Sequence, residues 1–218
     1  MNDKGQTNGH ANGAGINGSG AIHVEGERRV VPAPPDRVKD LAEGCVRFVE
    51  RALKVKLDYE VETLSLLDHY VAQGRKEIAQ KPELAAVIAH AAGAYLGEVV
   101  RRRHASWWSL AAGDDPALWR IELEQVYLSF SPVQMIADAL LHGARDEEHG
   151  PGEQLELEEE DRDAVAERLA ELPAVSEAEF YAPSTRVEVL DIAVEAIRAR
   201  HLAADEGEQM ALTPDDYE

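Results

Sequence analysis

The apolar period of this chain changes within the sequence LAAVIAHAAGAYLGEVVRRRHASWWSL, residues 84–110, and this change sets the architecture. Up to Arg103, apolar residues recur every three or four positions, which predicts an amphipathic helix from Pro82 to about Arg103. The residues from Ala105 to Leu110 instead favour a short β-strand that contains two adjacent tryptophans. The chain therefore combines long helices with short strands.

Two glycines, Gly93 and Gly97, lie four residues apart inside this helix and so share one helical face. Each costs about 1 kcal/mol of helix stability relative to alanine. Tight packing against a neighbouring element or a nearby ligand must offset that cost, and packing is the more common reason. The pair therefore predicts a close contact on this face.

The segments that follow alternate with a period of two. Over 118–123, the side chains of Trp119, Ile121 and Leu123 are predicted to face inwards and Glu122 outwards, and 125–130 has a similar pattern. These segments are predicted as antiparallel strands, with a turn at 113–116 joining the first pair. A further short strand is compatible with the alternation around 155–157.

Five further helices are predicted from apolar spacing and terminal capping patterns. They cover about 35–54, 60–73, 131–141, 161–172 and 184–202, with Gly74 ending the second and Ser131 and Ser184 capping two others. The predicted fold class is α+β and mainly helical, with about six helices and a small two- to three-stranded antiparallel sheet. We expect a disordered Gly/Asn-rich arm over 1–33, a single α+β domain over 34–203 and a disordered acidic tail over 204–218.

Negative charge is concentrated towards the C-terminus. Residues 144–218 contain 23 acidic residues against 6 arginines, and the whole chain has a formal charge of −20. Nucleic acids and anionic membranes attract clustered Lys and Arg, so we expect neither as a partner. A single cysteine, Cys45, no secretory signal and no apolar run of roughly 18 residues together predict a cytoplasmic protein.

One set of side chains is a candidate contact site for a ligand or a partner. This Arg/Trp group consists of Tyr95, Glu98, Arg101, Arg102, Trp107 and Trp108. Arginines in a last helical turn complement the helix macrodipole, and Glu98 can pair with Arg101 or Arg102, so no ligand is required to explain the charges. The alternatives are a pocket for an anion or carboxylate and a docking site for the acidic C-terminal region of the same chain.

The acidic terminus is a second candidate. Met210, Leu212 and Tyr217 are apolar anchors in acidic sequence, a pattern typical of segments that fold on a basic or hydrophobic partner. A purely solubilising tail is the competing interpretation. The carboxylates between Glu156 and Asp163 are predicted to form a solvated face at the start of a helix.

No motif reaches the specificity of a catalytic or cofactor signature. The eight histidines lack HxxxH and HExxH spacing, and the chain has no GxSxG, P-loop or GxGxxG motif. We therefore expect no enzymatic activity, no cofactor and no metal site.

The stretch GAYLGEVVRR at 93–102, with DYEVETL at 58–64 and WRIEL at 119–123, resembles a group of uncharacterised bacterial proteins from myxobacteria and actinobacteria. That group shares a GAYxGEVxRR…W core. The resemblance covers about 35–202 and excludes both ends of the chain. It implies a bacterial cytosolic origin and no catalytic residues.

Three hypotheses about function follow. The preferred one is a non-enzymatic, acidic regulatory protein that binds a basic or hydrophobic surface of a partner protein, as an enzyme inhibitor does. The second is a domain that binds or converts an anionic small molecule with the Arg/Trp group. The third is an antagonist that imitates DNA with regular rows of carboxylates.

Overall fold

The computed structural model describes residues 33–110, 113–141, 154–204 and 211–218. Within these ranges the chain forms seven α-helices and one four-stranded sheet. The helices are α1 Asp36–Leu53, α2 Leu64–Ile78, α3 Leu84–Arg103, α4 Pro132–Leu141, α5 Glu159–Ala170, α6 Glu177–Phe180 and α7 Pro183–Ala203, and the strands are β1 Ser106–Ser109, β2 Arg120–Leu123, β3 Leu128–Phe130 and β4 Glu156–Leu157. The predicted mainly helical α+β class is confirmed. Most of the predicted N-terminal arm, 1–32, lies outside the described residues.

Helix α3 forms the centre of the core, and α1 and α4 pack against it. The two glycines of α3 permit the close approach that their spacing predicts. A Cβ on Gly93 would lie 2.5 Å from the Cα of Val133 in α4, and a Cβ on Gly97 would lie 2.3 Å from the ring of Trp108. The face of α3 that carries the two glycines is therefore in close contact with α4 and with Trp108.

By length and composition alone, α3 is apolar enough to cross a membrane. Of the apolar window that meets this test, 72% is buried inside the protein. The core helix of a globular domain has the same composition, so the hydropathy of α3 carries little evidence for a membrane span.

The sheet has the order β1-β2-β3-β4, and each neighbouring pair is antiparallel. Because side chains alternate across a strand, Trp107 and Trp108 of β1 point to opposite faces of the sheet. Trp119, Ile121 and Leu123 are buried, as predicted. Glu122 differs from the prediction, since it is only 6% exposed and accepts a hydrogen bond from the indole of Trp107.

Two predicted helix ends are wrong. Helix α2 does not stop at Gly74 but continues to Ile78, because a Cβ on Gly74 would lie 3.2 Å from Ile88 and 3.3 Å from Leu140, so the glycine serves packing. Ser184 does not cap α7, which begins at Pro183 after the N-cap Ala182. Ser184 instead donates hydrogen bonds to Asp68 of α2 from both its backbone nitrogen and its hydroxyl.

Residues 211–218 lie ordered against the sheet, whereas the sequence predicts a disordered tail there. A 3₁₀ turn at Pro214–Tyr217 is closed by reciprocal hydrogen bonds between Thr213 and Asp216. The ring of Tyr217 stacks on that of Tyr127 in the β2–β3 connection. Burial of the Tyr217 ring thus offsets the conformational entropy that the segment loses on ordering. The acidic composition of the segment does not reveal this contact. Residues 205–210 of the predicted tail lie outside the described part of the chain.

Candidate functional site

The Arg/Trp group does not converge on one pocket, and three of its members form a buried polar triad. Arg101 binds the carboxylate of Glu98 with two hydrogen bonds, Nε to Oε1 at 2.7 Å and Nη2 to Oε2 at 2.8 Å. The indole nitrogen of Trp108 donates to the same Oε1 at 2.8 Å. The side chains of Arg101 and Glu98 are 5% and 2% exposed. The triad therefore joins α3 to β1 in the interior, and both carboxylate oxygens already have donors.

Tyr95 and Arg102 belong to an aromatic column around Tyr59. The rings of Tyr59 and Tyr95 stack with centroids 4.8 Å apart, and the guanidinium carbon of Arg102 lies 3.9 Å from the centroid of the Tyr59 ring. Burial raises the pKa of Tyr59, an effect that the Arg102 charge partly offsets. Burial also raises the pKa of Tyr95 to about 12. Both phenols are therefore neutral at physiological pH.

The backbone of Tyr59 is left-handed, with a φ of 68°, which is strained for an aromatic residue. Its N–H donates to the hydroxyl of Tyr95 at 2.9 Å, which holds this conformation. Next to it, Oδ1 of Asp58 accepts from the Glu60 N–H at 3.0 Å and from the Thr63 hydroxyl at 2.9 Å. These two bonds lower the pKa of Asp58. Sequence reasoning missed Tyr59, although an Asp whose side chain can bond the backbone N–H two residues on is a recognisable turn signal.

A cleft of about 460 Å³ opens between α1, the 56–59 segment and the end of α3. Glu98, Arg102 and Tyr59 contribute to its wall, together with charged residues from α1 and Lys56. Lys39, Lys56 and Arg102 form no ion pair with any residue that the structure describes. These three cations therefore lie around one cleft, whose wall also contains the carboxylates of Glu43 and Glu50.

Trp107 lies apart from the cleft, on the face of the sheet that the C-terminal segment covers. Its indole nitrogen donates to Oε2 of Glu122 at 2.7 Å, and its ring meets that of Tyr217 edge to face with centroids 5.9 Å apart. Leu212 also contacts this region, since its N–H donates to the carbonyl of Glu124 at 2.7 Å. Of the predicted tail anchors, Leu212 and Tyr217 therefore contact their own domain, and Met210 lies outside the described residues.

An acidic surface accompanies α5 and the segment that follows it. Residues 158–179 contain nine acids against two arginines. We use the name acidic face for the five exposed carboxylates that form no ion pair with a described residue, Glu158, Glu159, Glu160, Asp163 and Glu167. Leu172 and Val175, 44% and 50% exposed, follow in the chain.

Two acids of the predicted solvated face are not free in solvent. Asp161 is 0% exposed, and its Oδ1 binds Nε of Arg200 and lies 3.2 Å from Nε2 of His201, both in α7. Glu156 pairs with Arg120 across the sheet. The prediction of a solvated face is therefore wrong for Asp161, which fastens α5 to α7.

Among the described residues, no group of three or more His, Cys, Asp or Glu side chains is arranged to hold a metal ion. No protein-family model matches the chain, and comparison with curated proteins and with solved structures finds no similar protein. The resemblance to the myxobacterial and actinobacterial group stays a prediction.

Proposed function

We propose that the protein is a non-enzymatic, acidic regulatory protein that binds a partner protein through the acidic face. One observation carries the proposal: five exposed carboxylates lie on and just before the ordered helix α5, and no described residue pairs with them. Like charges held close together repel and lower the stability of the folded state. A complementary basic surface on another protein would remove that repulsion.

The composition of this surface defines the partner. Carboxylates would contact Lys and Arg, while the exposed side chains of Leu172 and Val175 offer a small apolar contact beside them. Opposite potentials accelerate association and make it sensitive to ionic strength. An enzyme whose basic face is covered by this protein fits both properties, so inhibition is the form of regulation we propose.

The experiment is an affinity capture from the native bacterial cytosol. The wild-type chain is compared with a triple charge reversal of the acidic face, Glu159→Lys, Glu160→Lys and Asp163→Lys. The matched control is Asp40→Lys, Glu62→Lys and Glu77→Lys, three exposed acids elsewhere with the same change of net charge. Capture is performed at about 50 mM and at about 500 mM salt, where the Debye length falls to a few ångströms.

We expect one protein to be retained by the wild type and by the control at low salt only, and to be lost from the reversed variant. The captured protein is then purified. The dissociation constant of its complex with each variant is measured, and so is the activity of the captured protein in the presence of each variant. Retention by the reversed variant equal to that of the wild type, or no retained protein at low salt, would show that the proposal is wrong. If the captured protein binds nucleic acids, the result would favour the third hypothesis, an antagonist that imitates DNA.

A second candidate function, binding of a small anionic ligand, is favoured by the cleft. Its observation is that Lys39, Lys56 and Arg102, which form no ion pair with a described residue, line one cleft beside the strained Tyr59. The test is calorimetry of the wild type and of Arg102→Ala with a panel of carboxylates and phosphates, with Arg51→Ala as an exposed control outside the cleft. Loss of binding in Arg102→Ala alone supports this function, and no heat with the wild type contradicts it.

A further inference from the structure

The side chain of Tyr217 occupies a defined recess on the sheet. Its ring stacks on Tyr127 with centroids 4.6 Å apart and an interplanar angle of 10°, and the edge contact with Trp107 closes one side. Trp107 is itself held by its hydrogen bond to Glu122. One wall of the recess, the Trp107 ring, is therefore fixed by a contact that does not involve the C-terminal segment.

The bottom of this recess is built from backbone groups of the β2–β3 turn. The hydroxyl of Tyr217 lies 2.7, 3.0 and 3.2 Å from the carbonyl oxygens of Leu123, Val126 and Leu128. It also accepts a hydrogen bond from the Leu128 N–H at 3.0 Å. Carbonyl oxygens only accept, so this arrangement requires a group that carries a proton.

A charged group would be rejected from the same position. A phenolate or a phosphate would place negative charge against three carbonyl oxygens and near the carboxylate of Glu122, with one N–H to oppose them. Consistent with this, burial raises the pKa of Tyr217 and the charge of Glu122 raises it further, while the bond from Leu128 acts in the opposite direction. The recess therefore distinguishes an unmodified tyrosine from a phosphorylated one.

Few other contacts hold the C-terminal segment. Apart from the contacts of Tyr217, one hydrogen bond joins residues 211–218 to the rest of the described chain, from the Leu212 N–H to the carbonyl of Glu124. Leu212 itself is half-buried, while Thr213, Pro214 and Asp215 are exposed. The turn is preorganised within itself, since Oδ2 of Asp216 accepts from the N–H of Thr213 at 2.7 Å and from its hydroxyl at 2.9 Å. A segment held by one side chain and one backbone bond can leave without unfolding the domain.

We propose that Trp107, Tyr127 and the 123–128 turn form a binding site for the unmodified tyrosine of a short acidic peptide, which the chain's own residues 211–218 occupy in cis and vacate reversibly. Release presents Leu212 and Tyr217 to other molecules and uncovers Trp107 and Tyr127. A phosphoryl group that a kinase transfers from a nucleoside triphosphate to the released Tyr217 hydroxyl, with the nucleoside diphosphate as leaving group and the hydroxyl proton lost, prevents the segment from returning. This inference is independent of the acidic face.

The experiment uses the synthetic peptide ALTPDDYE, the sequence of 211–218, and full-length chains. Amide and indole NMR signals are followed while the peptide is added to wild type and to Tyr217→Ala. A tethered segment competes at an effective concentration on the order of millimolar, so we expect the peptide to bind Tyr217→Ala at least about tenfold more tightly than wild type. Shifts should centre on the Trp107 indole and the Leu128 amide.

Peptide variants test the chemistry of the recess. Replacing the tyrosine by phenylalanine should weaken binding about two- to tenfold, the value of one hydrogen bond, and the phosphotyrosyl peptide should not bind. Equal binding of the peptide to wild type and Tyr217→Ala, no binding to a folded Tyr217→Ala chain, or equal binding of the phosphorylated peptide would each overturn the proposal.

A second receptor removes any dependence on the stability of Tyr217→Ala. Tyr217→Phe keeps the stacked ring and lacks only the hydroxyl, so its tail competes less than the wild-type tail. The peptide should bind Tyr217→Phe more tightly than wild type, and the Leu128 amide should exchange its hydrogen faster in Tyr217→Phe. An unchanged exchange rate together with unchanged binding would also overturn the proposal.

Discussion

The indole nitrogen of Trp108 in β1 lies 2.8 Å from Oε1 of Glu98 in α3. The same carboxylate is bound twice by Arg101 in the next turn of the helix. A charged pair that sequence reasoning explains by spacing along one helix is thus part of the interior, where it sets the position of the first strand against the central helix.

Removing the carboxylate of Glu98 should destabilise the protein strongly. Glu98→Ala leaves the Arg101 guanidinium buried without that partner, and loss of one member of a buried pair costs about 3–5 kcal/mol. Glu188→Ala, an exposed position in α7, should change the free energy of unfolding by less than about 0.5 kcal/mol. Urea denaturation of both variants measures the difference, and equal values would contradict a structural role for the triad.

The glycines of the helices should respond oppositely to alanine. Gly93→Ala should lower the free energy of unfolding by about 1–3 kcal/mol, because its Cβ would overlap the backbone of Val133. Gly44→Ala in α1 meets nothing closer than Arg47 Nη2 at 3.8 Å and should instead stabilise the helix by up to about 1 kcal/mol. Thermal and urea unfolding give both values. Stabilisation by Gly93→Ala would mean that α3 and α4 are not in contact at that point.

Two neighbouring acids of α5 should differ in their importance for stability. Asp161→Ala removes the partner of Arg200 and His201 from a fully buried position, which should cost about 3 kcal/mol or more. Asp163→Ala alters an exposed side chain and should cost less than about 0.5 kcal/mol. If the two variants unfold at the same urea concentration, the described junction between α5 and α7 is wrong.

Acid should weaken the contact between α7 and the end of α3. Burial raises the pKa of Asp191, but hydrogen bonds from His104 and Arg103 outweigh it and hold that pKa below its ordinary value of 3.8. A carboxyl with a lowered pKa contributes stability above its unfolded pKa and loses it as the pH falls through the folded value. The melting temperature of wild type should therefore exceed that of Asp191→Asn most above pH ~4, and the gap should shrink below it. Asp163→Asn serves as the control, and a gap that grows on acidification would contradict the sign.

The spacing of apolar residues predicted those helices and strands whose buried face can be recognised from their own sequence, without knowledge of their neighbours. Helices α1 and α3 and the inward residues of β2 belong to this class, since the spacing of their apolar residues alone defines the buried face. The glycines of α3 were also predictable, because their cost required a contact. Gly74 was not, since a glycine within a helix and one that ends it look alike until the neighbours Ile88 and Leu140 are known.

The candidate site was predicted less completely, for a physical reason. Asp161 and Asp163 lie in the same acidic stretch of sequence, which does not distinguish them. The position of α7 decides which of the two carboxylates is buried. Tyr217 lies in acidic sequence whose average properties predict disorder, yet two aromatic contacts and the carbonyls of a distant turn order it. Contacts between residues far apart in the chain carry no local signal.

The most direct test of the account is the salt dependence of the dissociation constant between this protein and the partner that it captures. The acidic-face reversal Glu159→Lys, Glu160→Lys and Asp163→Lys should weaken binding at least about a hundredfold at low salt, since each close charge contact is worth about 1 kcal/mol or more. It should also flatten the dependence on salt, whereas Asp40→Lys, Glu62→Lys and Glu77→Lys should change both quantities only slightly. Similar affinities and salt slopes for the two triple variants would contradict the claim that α5 carries the binding surface.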